Sequence, residues 1–584
     1  EKMLRGEQMA DFDLVIRGGT IADGLGGPLF DGDIGICGDK IAAVGQGLGV
    51  GIEEIDAKGH LVTPGFVDIH THYDGQVIWD NRLTPSSFNG VTTVVMGNCG
   101  VGFAPVRPEN REPILELMEG VEDIPGDVLR QGLSWKWETF EEYLEFIGSR
   151  AFDMDVAALV PHAPLRLYVM GDRAANFGQA TEDDIAQMSA LTSSAIKAGA
   201  VGFSTSRSTN HRSSTGQLTP TLKASEAELT GIAQAIADAG GGVLELSSSN
   251  DLDERARDFE MFRRIAGKTG LPLTFAIAQS NGAPDDWRAT LRQVDDAQAD
   301  GINIVPQFPL RPVGAILTIE GSSNPFQFSP TYKGIVATND DAEIQVARLR
   351  EPAVRSAVLN ETIPHAEGTS IARFGGYERL FPQNGEINYE PNPMDSIGAL
   401  ARAEGRHPLE TLYDCMHQGR TGPLIYFPTL NYANYNLDHV GEMLEHPYTV
   451  PGLGDGGAHV GIISDASFPT SLLMRWAKPL NPDGFDLGWI VKRHTADTAR
   501  LFGLNDRGVI DPGMKADINV IDLPRLGLKA PIMVRDLPGG GKRLLQKTTG
   551  YVATIVSGKA VYRNGEATGA LPGRLVKRAM TPAS

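Results

Sequence analysis

Two histidines two positions apart, His70 and His72, close the run Val62-Thr-Pro-Gly-Phe-Val-Asp-Ile-His-Thr-His72. Phe66, Val67 and Ile69 follow a Pro-Gly turn and read as a short buried strand. Side chains two apart on a strand share a face, so both imidazoles leave the strand end in one direction. Two nitrogens so placed suit one divalent metal, commonly zinc. The competing reading is a pair of solvated or hydrogen-bonded histidines. The apolar strand, and Asp68 on the histidine face just before the pair, favour the metal.

Such a strand needs a framework that holds its end still. From about residue 62 onwards, apolar runs alternate with helical stretches, the signature of β/α units on a parallel sheet. Eight strands are expected: Val62–His72, Val91–Gly97, Val156–His162, Ala200–Ser206, Gly242–Leu246, Leu273–Ala278, Ile302–Phe308 and Tyr448–Gly454. Helices are expected at Glu182–Ala198, Ser225–Ala239 and Asp285–Asp300. Eight strands point to a closed α/β fold, a (β/α)8 TIM-type barrel. Function in that architecture sits at the C-terminal strand ends. Those ends offer Cys99 in Gly97-Asn-Cys-Gly100 and His162 in Val160-Pro-His-Ala-Pro-Leu-Arg166. They also offer Arg207, with His211 close behind, and Gly454-Asp-Gly-Gly-Ala-His459.

Both chain ends are rich in short β-like runs with Gly and Asp turns, and they are expected to pair into one small discontinuous β-sandwich domain. The expected division is a flexible leader over 1–11, the β domain over 12–62 and 503–565, the barrel over 63–502, and a C-terminal tail over 566–584. Strands seven and eight are far apart, so about 312–446 is an insertion, either a lid over the site or an interface. Pro538-Gly-Gly-Gly-Lys-Arg543 lacks the glycine spacing of a phosphate loop and reads as a turn.

A 584-residue chain with 41% hydrophobic and 21% charged residues can bury a large globular core. Its net charge of -21 argues against nucleic acid or an anionic membrane as partner, though not against a small anionic substrate. No apolar run reaches the roughly 18 residues of a membrane helix. Three cysteines make no disulfide framework, and the first residues lack the apolar core of a signal peptide, so the cytoplasm is expected.

Taken together, these motifs resemble the D-aminoacylase (N-acyl-D-amino-acid deacylase) branch of the amidohydrolase superfamily. The matching pieces are His70-Thr-His72, Gly97-Asn-Cys-Gly100, His162-Ala-Pro-Leu-Arg166, Gly202-Phe-Ser-Thr-Ser-Arg207, Asp455-Gly-Gly-Ala-His459 and Asp506-Arg-Gly-Val-Ile-Asp-Pro-Gly-Met-Lys-Ala-Asp-Ile-Asn-Val-Ile-Asp522. The resemblance implies a metal-dependent hydrolase of amide C–N bonds acting on a small molecule. It implies His70 and His72 as ligands, Asp455 as general base and ligand, and Cys99 as a further ligand; a buried inert thiol is the other reading of Cys99. The family's histidines at the ends of strands five and six are absent, and Glu245 and Gln279 are the residues left there. One zinc is therefore favoured over two. The family's substrate-gripping lysine is also absent, leaving Arg207 and Arg311 as candidates for a substrate carboxylate. His162 is a further substrate-binding candidate, and His459 is expected to support a ligand. Many relatives associate, so a homo-oligomer is one expectation. The alternatives are hydrolysis of cyclic or other amides on the same fold, and a metal-free binding or scaffold protein.

Overall fold

The computed structural model describes residues 10–249, 251–338, 341–368, 370–373, 375–462 and 465–578. Most of the expected leader and the last six residues of the expected tail lie outside them. Both chain ends meet in one nine-stranded sheet. Phe12–Ile21, Phe30–Cys37, Lys40–Gly45, Gly51–Asp56 and Leu61–Pro64 come from the N-terminal side. Ile518–Ile521, Tyr551–Val556, Lys559–Arg563 and Glu566–Ala567 come from the C-terminal side. The seam is antiparallel, with Val62 opposite Val520. The strands alternate inward and outward, so Leu14, Ile16, Ile34, Ile36, Val62, Ile518 and Ile555 share one apolar cluster. The ladder is a single branched sheet rather than two separate ones, because Phe12–Ile21 pairs along one edge with both Gly51–Asp56 and Leu61–Pro64.

The first expected strand is divided. Leu61–Pro64 belongs to this terminal sheet, and only Phe66–Asp68 enters the parallel sheet. Gly65 is the break. Its N–H donates to Asp517 O at 2.8 Å, and a Cβ there would lie 2.1 Å from Thr92 Oγ1.

The parallel strands are β1 (Phe66–Asp68), β2 (Val91–Met96), β3 (Asp155–Pro161), β4 (Gly202–Ser206), β5 (Val243–Ser247), β6 (Leu273–Phe275), β7 (Gln307–Phe308) and β8 (Val450–Pro451). Strands β1 to β6 pair in order, as do β7 and β8. Single bridges continue the ring: Leu273 to Ile304 and Ala276 to Gln307 join β6 to β7, and Thr71 to Gly456 returns from the β8 end to β1. Val67, Ile69, Val95, Ala157, Leu159, Val243 and Val450 pack together and against Ala499, Phe502 and Leu504. Alternate residues such as Val94, Met96, Val160, Leu244 and Leu246 pack outward with the helix residues Met188, Ile196, Ile232 and Phe262. Glu182–Ala198 runs as the sequence predicts; a Thr181–Asp184 capping box opens it and Gly199 ends it.

The β ends and the parallel sheet are joined by buried charge. Arg507 Nη1 lies 2.6 Å and Lys515 Nζ 2.9 Å from Asp155 Oδ2, and Lys515 also holds Asp517 at 2.7 Å. The expected tail is partly engaged: Val156 N–H donates to Arg574 O, and Val576 N–H to Val156 O. The glycine run is a tight turn, Pro538–Gly540, between the paired strands Ile532–Leu537 and Gly541–Leu545.

Residues of the expected insertion build a core of their own. Val313–Leu317, Phe381–Gln383 and Leu424–Leu430 form an antiparallel sheet, covered by helices that include Pro352–Thr362 and Pro408–Met416. Leu317, Phe326, Tyr332, Leu359, Leu412 and Phe427 fill the space between. Among the described residues, no helix is long and apolar enough to cross a membrane.

Candidate functional site

The ends of β1 and β8 are zipped by backbone bonds. Asp455 N–H donates to His70 O at 3.0 Å, and His72 N–H donates to Gly456 O at 2.7 Å. This brings Asp455 to the two imidazoles. One oxygen, Asp455 Oδ1, lies 3.5 Å from His70 Nε2 and 3.6 Å from His72 Nε2. The turn that allows it is tight: Leu453 has φ of 62° and Asp455 of 47°, and Asp tolerates the left-handed region better than most residues. Gly454 must lack a side chain, since a Cβ would meet Asp68 Oδ2 at 2.3 Å.

The far nitrogens of both rings face oxygens. His70 Nδ1 stands 3.2 Å from Gln307 Oε1, and His72 Nδ1 stands 3.3 Å from Glu122 Oε1. With Nδ1 turned to Gln307, His70 Nε2 presents its lone pair to the centre, while the His72–Glu122 approach is an ion pair without hydrogen-bond geometry. Burial holds His70 down at about 4. Burial also works against charge on His72, yet Glu122 and Asp455 push it up to about 9. The field at that point favours a cation. Asp455 stays below the ordinary carboxylate range: burial opposes this, but His72, His70 and His459 outweigh it.

Cys99 completes the group. Its Sγ is 3.6 Å from His70 Nε2, and the ligand atoms of His70, His72 and Cys99 all lie within 4.8 Å of one another. The loop is held in a left-handed turn, with Cys99 at φ 58°. Glu245 Oε2 accepts from Cys99 N–H at 2.9 Å, while Ser204 Oγ accepts from Gly100 N–H at 3.0 Å and donates to Gly97 O. Burial, then Glu245, Glu122 and Asp455, push the Cys99 thiol well above its ordinary value. Bonds of about 2.0–2.3 Å in a tetrahedron separate ligand atoms by roughly 3.3–3.7 Å. The two Nε2–Oδ1 spacings and the His70 Nε2–Sγ spacing fall in that range, and the mutually close group of His70, His72 and Cys99 suits a divalent ion, with Asp455 reaching the histidines but standing outside that group.

The structure places the other predicted residues elsewhere. His162 opens the helix His162–Met170, and its ring bonds Thr205 Oγ1 at 2.8 Å and Glu228 Oε1 at 2.9 Å, with Arg166 on the same carboxylate. It is fully buried core, on the outward face of β4. Arg207 is paired with Asp258 at 2.6 Å and donates to Ala224 O. Arg311, 2% exposed, is bound by Asp465 and Ser467, each at 2.8 Å, and lies over the Tyr389 ring. Both guanidiniums are thus already matched within the protein, Arg207 by Asp258 of the helix Leu252–Thr269 and Arg311 by Asp465, in the segment that follows the β8 end. His459 approaches Glu122 Oε2 at 3.9 Å, behind His72. Gln279 ties β6 to the insertion: its N–H donates to Asn431 Oδ1, and its Oε1 accepts from Ala433 N–H.

Four more residues border the site: Glu122 and Gln307 were not named from sequence, whereas Glu245 and His211 were named there without a role. Glu122 ends the helix Arg111–Glu122, far from any strand end. Gln307 lies on β7, where the strand-end rule could have found it. Glu245 does face the centre, and burial pushes it up to about 8. His211 bonds Ser206 Oγ through Nδ1 at 2.7 Å. Burial, then His72, His459 and His70, hold it down at about 3.

This fold and this cluster define an amidohydrolase. The family model of the Amidohydrolase family matches residues 53–562, and the chain belongs to that family. It is 31% identical over 293 residues to a D-aminoacylase of Alcaligenes xylosoxydans xylosoxydans, covering 49% of this chain and 55% of the relative. It is 33% identical over 297 residues to an N-acyl-D-glutamate deacylase of the same organism, covering 50% and 55%. The matched segment thus spans about half the length of these relatives. In fold, it is similar to an N-acyl-D-glutamate deacylase of Bordetella bronchiseptica solved with zinc and a phosphonate inhibitor: TM-score 0.65, 24% identity, covering 97% of this chain and 100% of that one.

Proposed function

We propose that the protein is a metal-dependent hydrolase of N-acyl-D-amino acids or closely similar small amides. The observation that carries this reading is one carboxylate oxygen, Asp455 Oδ1, set 3.5 and 3.6 Å from two histidine Nε2 atoms. His70, His72 and Asp455 would hold one divalent ion, with Cys99 beside His70 as a further ligand, zinc being the best match to a nitrogen, oxygen and sulfur set. When bound, that ion lowers the pKa of water from about 16 towards 7 and polarises a carbonyl. The chain does the rest. Asp455 is ionised at neutral pH and takes the proton of the attacking water. It then returns that proton to the nitrogen of the departing amine, acting as base and then acid. Gln307 and Glu122 fix the two rings. Ser204 and Glu245 hold the Cys99 loop.

The ring of pairings from β1 to β8 and back supports a closed (β/α)8 barrel, with the nine-stranded sheet as a second domain over 12–62 and 503–565. The insertion over 312–446, with its own core, stands as a wall of the site. We place the enzyme in the cytoplasm, acting on a small molecule.

The test is a substrate panel of N-acyl-D-amino acids, their L-forms, hydantoins and aryl amides, run on protein of known metal content. Turnover of the D-forms with about one zinc per chain supports the reading. Turnover of hydantoins alone moves the protein to cyclic amides, and no turnover with any metal rejects the hydrolase.

A further inference from the structure

The loop after β4 carries a histidine that the proposed chemistry has not yet used. Ser204 and Ser206 are two apart on β4 and so share a face. Ser204 identifies that face, because its hydroxyl bonds Gly97 O and Gly100 N–H in the Cys99 loop. Ser206 therefore also points into the ring of strand ends, one step nearer the rim. Its Oγ is 2.7 Å from His211 Nδ1. The same oxygen accepts from Ser208 N–H at 3.1 Å, and among the described residues Nδ1 is the acceptor within reach of the buried hydroxyl proton, so the hydroxyl donates to Nδ1. Nδ1 is then the acceptor, and the ring proton resides on Nε2.

The loop is built to keep the ring there. His211 N–H donates to Ser208 O at 3.2 Å, and Thr219 N–H donates to His211 O at 2.9 Å. Thr221 Oγ1 donates to Ser206 O at 2.6 Å and ties the far end of the loop to the strand. The strand face shared by Ser204 and Ser206 puts the ring on the side of the Cys99 loop.

We propose that His211 is a substrate-contacting residue whose Nε2–H, aimed by Ser206, donates a hydrogen bond to the carbonyl oxygen of the scissile amide. That oxygen gains negative charge as water adds to the carbon. A fixed donor in a site shielded from water stabilises this charge more than it stabilises the neutral substrate. Ser206 is the positioning residue that sets the tautomer. This inference rests on the amide-hydrolase reading, so its test needs a readout that does not depend on turnover.

Three variants decide it: His211→Ala, His211→Gln and Ser206→Ala. Each is compared with wild type for zinc content, thermal unfolding, kcat and KM on the best substrate of the panel, and calorimetric binding of methylphosphonate, whose anionic oxygens accept N–H donors. Losing one donor to a developing oxyanion costs about 10²–10³-fold in kcat. His211→Ala is expected to show that loss with zinc content and KM near wild type, and to bind methylphosphonate at least tenfold more weakly. His211→Gln, which keeps an N–H donor, recovers part of both. Ser206→Ala falls between. Unchanged kcat in His211→Ala overturns the proposal, as does methylphosphonate binding that is equal in both proteins or absent from both. Loss of zinc along with activity also overturns it, because His211 would then be a ligand. If wild type turns over no amide yet binds methylphosphonate through His211, the hydrolase reading fails while the contact stands.

Discussion

Glu122 Oε1 lies 3.3 Å from His72 Nδ1, on the side of the ring away from Asp455. The carboxylate is buried and comes from the end of a helix between β2 and β3. It orients the ring and makes Nε2 a better donor. Glu122→Gln keeps the shape and removes the charge. Partners of this kind are worth about 10–100-fold in metal affinity. The variant is therefore expected to yield zinc to a competing chelator about 10–100-fold more readily, while His70→Ala/His72→Ala holds none at all. Affinity equal to wild type in Glu122→Gln would remove Glu122 from the site.

Asp455 can be tested with little risk to the fold if the substitute respects its backbone. At φ 47° asparagine is tolerated and alanine is strained. Asp455→Asn cannot accept the water's proton, and general base catalysis is worth about 10²–10⁴-fold. The expected result is a drop in kcat of at least that size with an unchanged circular dichroism spectrum. A folded Asp455→Asn protein with full activity would end its assignment as base.

Much of this was legible from local pattern, and the misses share a cause. Glu182–Ala198 has its apolar spacing, its Thr181 cap and its Gly199 stop in one stretch, so it reads from sequence alone. His70, His72, Cys99 and Asp455 were found because each follows an apolar run that ends at the rim. Glu122 has no such run; only the tertiary fold brings a helix end to His72. The first strand was read as continuous because Val62, Phe66, Val67 and Ile69 are all apolar. What divides it is Asp517, more than 400 positions away, accepting from Gly65 N–H. Arg207 and Arg311 are of the right type for a carboxylate substrate. Their partners, Asp258 on the helix Leu252–Thr269 and Asp465 after the β8 end, are far from them in sequence, and no spacing announces them.

The buried charges between the two chain ends and the parallel sheet set a stability expectation. Asp155 is held below the ordinary carboxylate range: burial alone would raise it, but Lys515 and Arg507 outweigh that. A group with a depressed folded pKa contributes its stability above its unfolded value, about 4, and loses it as pH falls through the folded value. Asp155→Asn leaves Arg507 and Lys515 short of a partner, and breaking such a network costs about 3–5 kcal/mol. Thermal unfolding at pH 7 should show that loss. The gap between variant and wild type should narrow as the pH is taken below about 4. A gap that stays constant with pH would mean that the charge of Asp155 is not what stabilises the junction.

A reciprocal pair is central to the contact between the insertion and the segment after β6. Asn431 N–H donates to Gln279 O at 2.9 Å, and Gln279 N–H donates to Asn431 Oδ1 at 2.7 Å. Asn431 also donates to Pro309 O at 3.0 Å, is fully buried and has φ of 59°. Asn431→Ala strands a buried N–H, worth about 1–3 kcal/mol, and adds left-handed strain of about 1–2 kcal/mol. Asn431→Gly removes the strain and keeps the loss of both side-chain bonds, whereas Asn431→Asp keeps the acceptor but turns a buried carboxyl oxygen to Pro309 O. The expected order of stability among the neutral forms is wild type, then Gly, then Ala. Limited proteolysis should cut within 312–446 fastest in the alanine variant, because the insertion would open from the barrel before the rest unfolds. If the three variants are cut there at the wild-type rate, the pair does not hold the insertion, and its own core is enough.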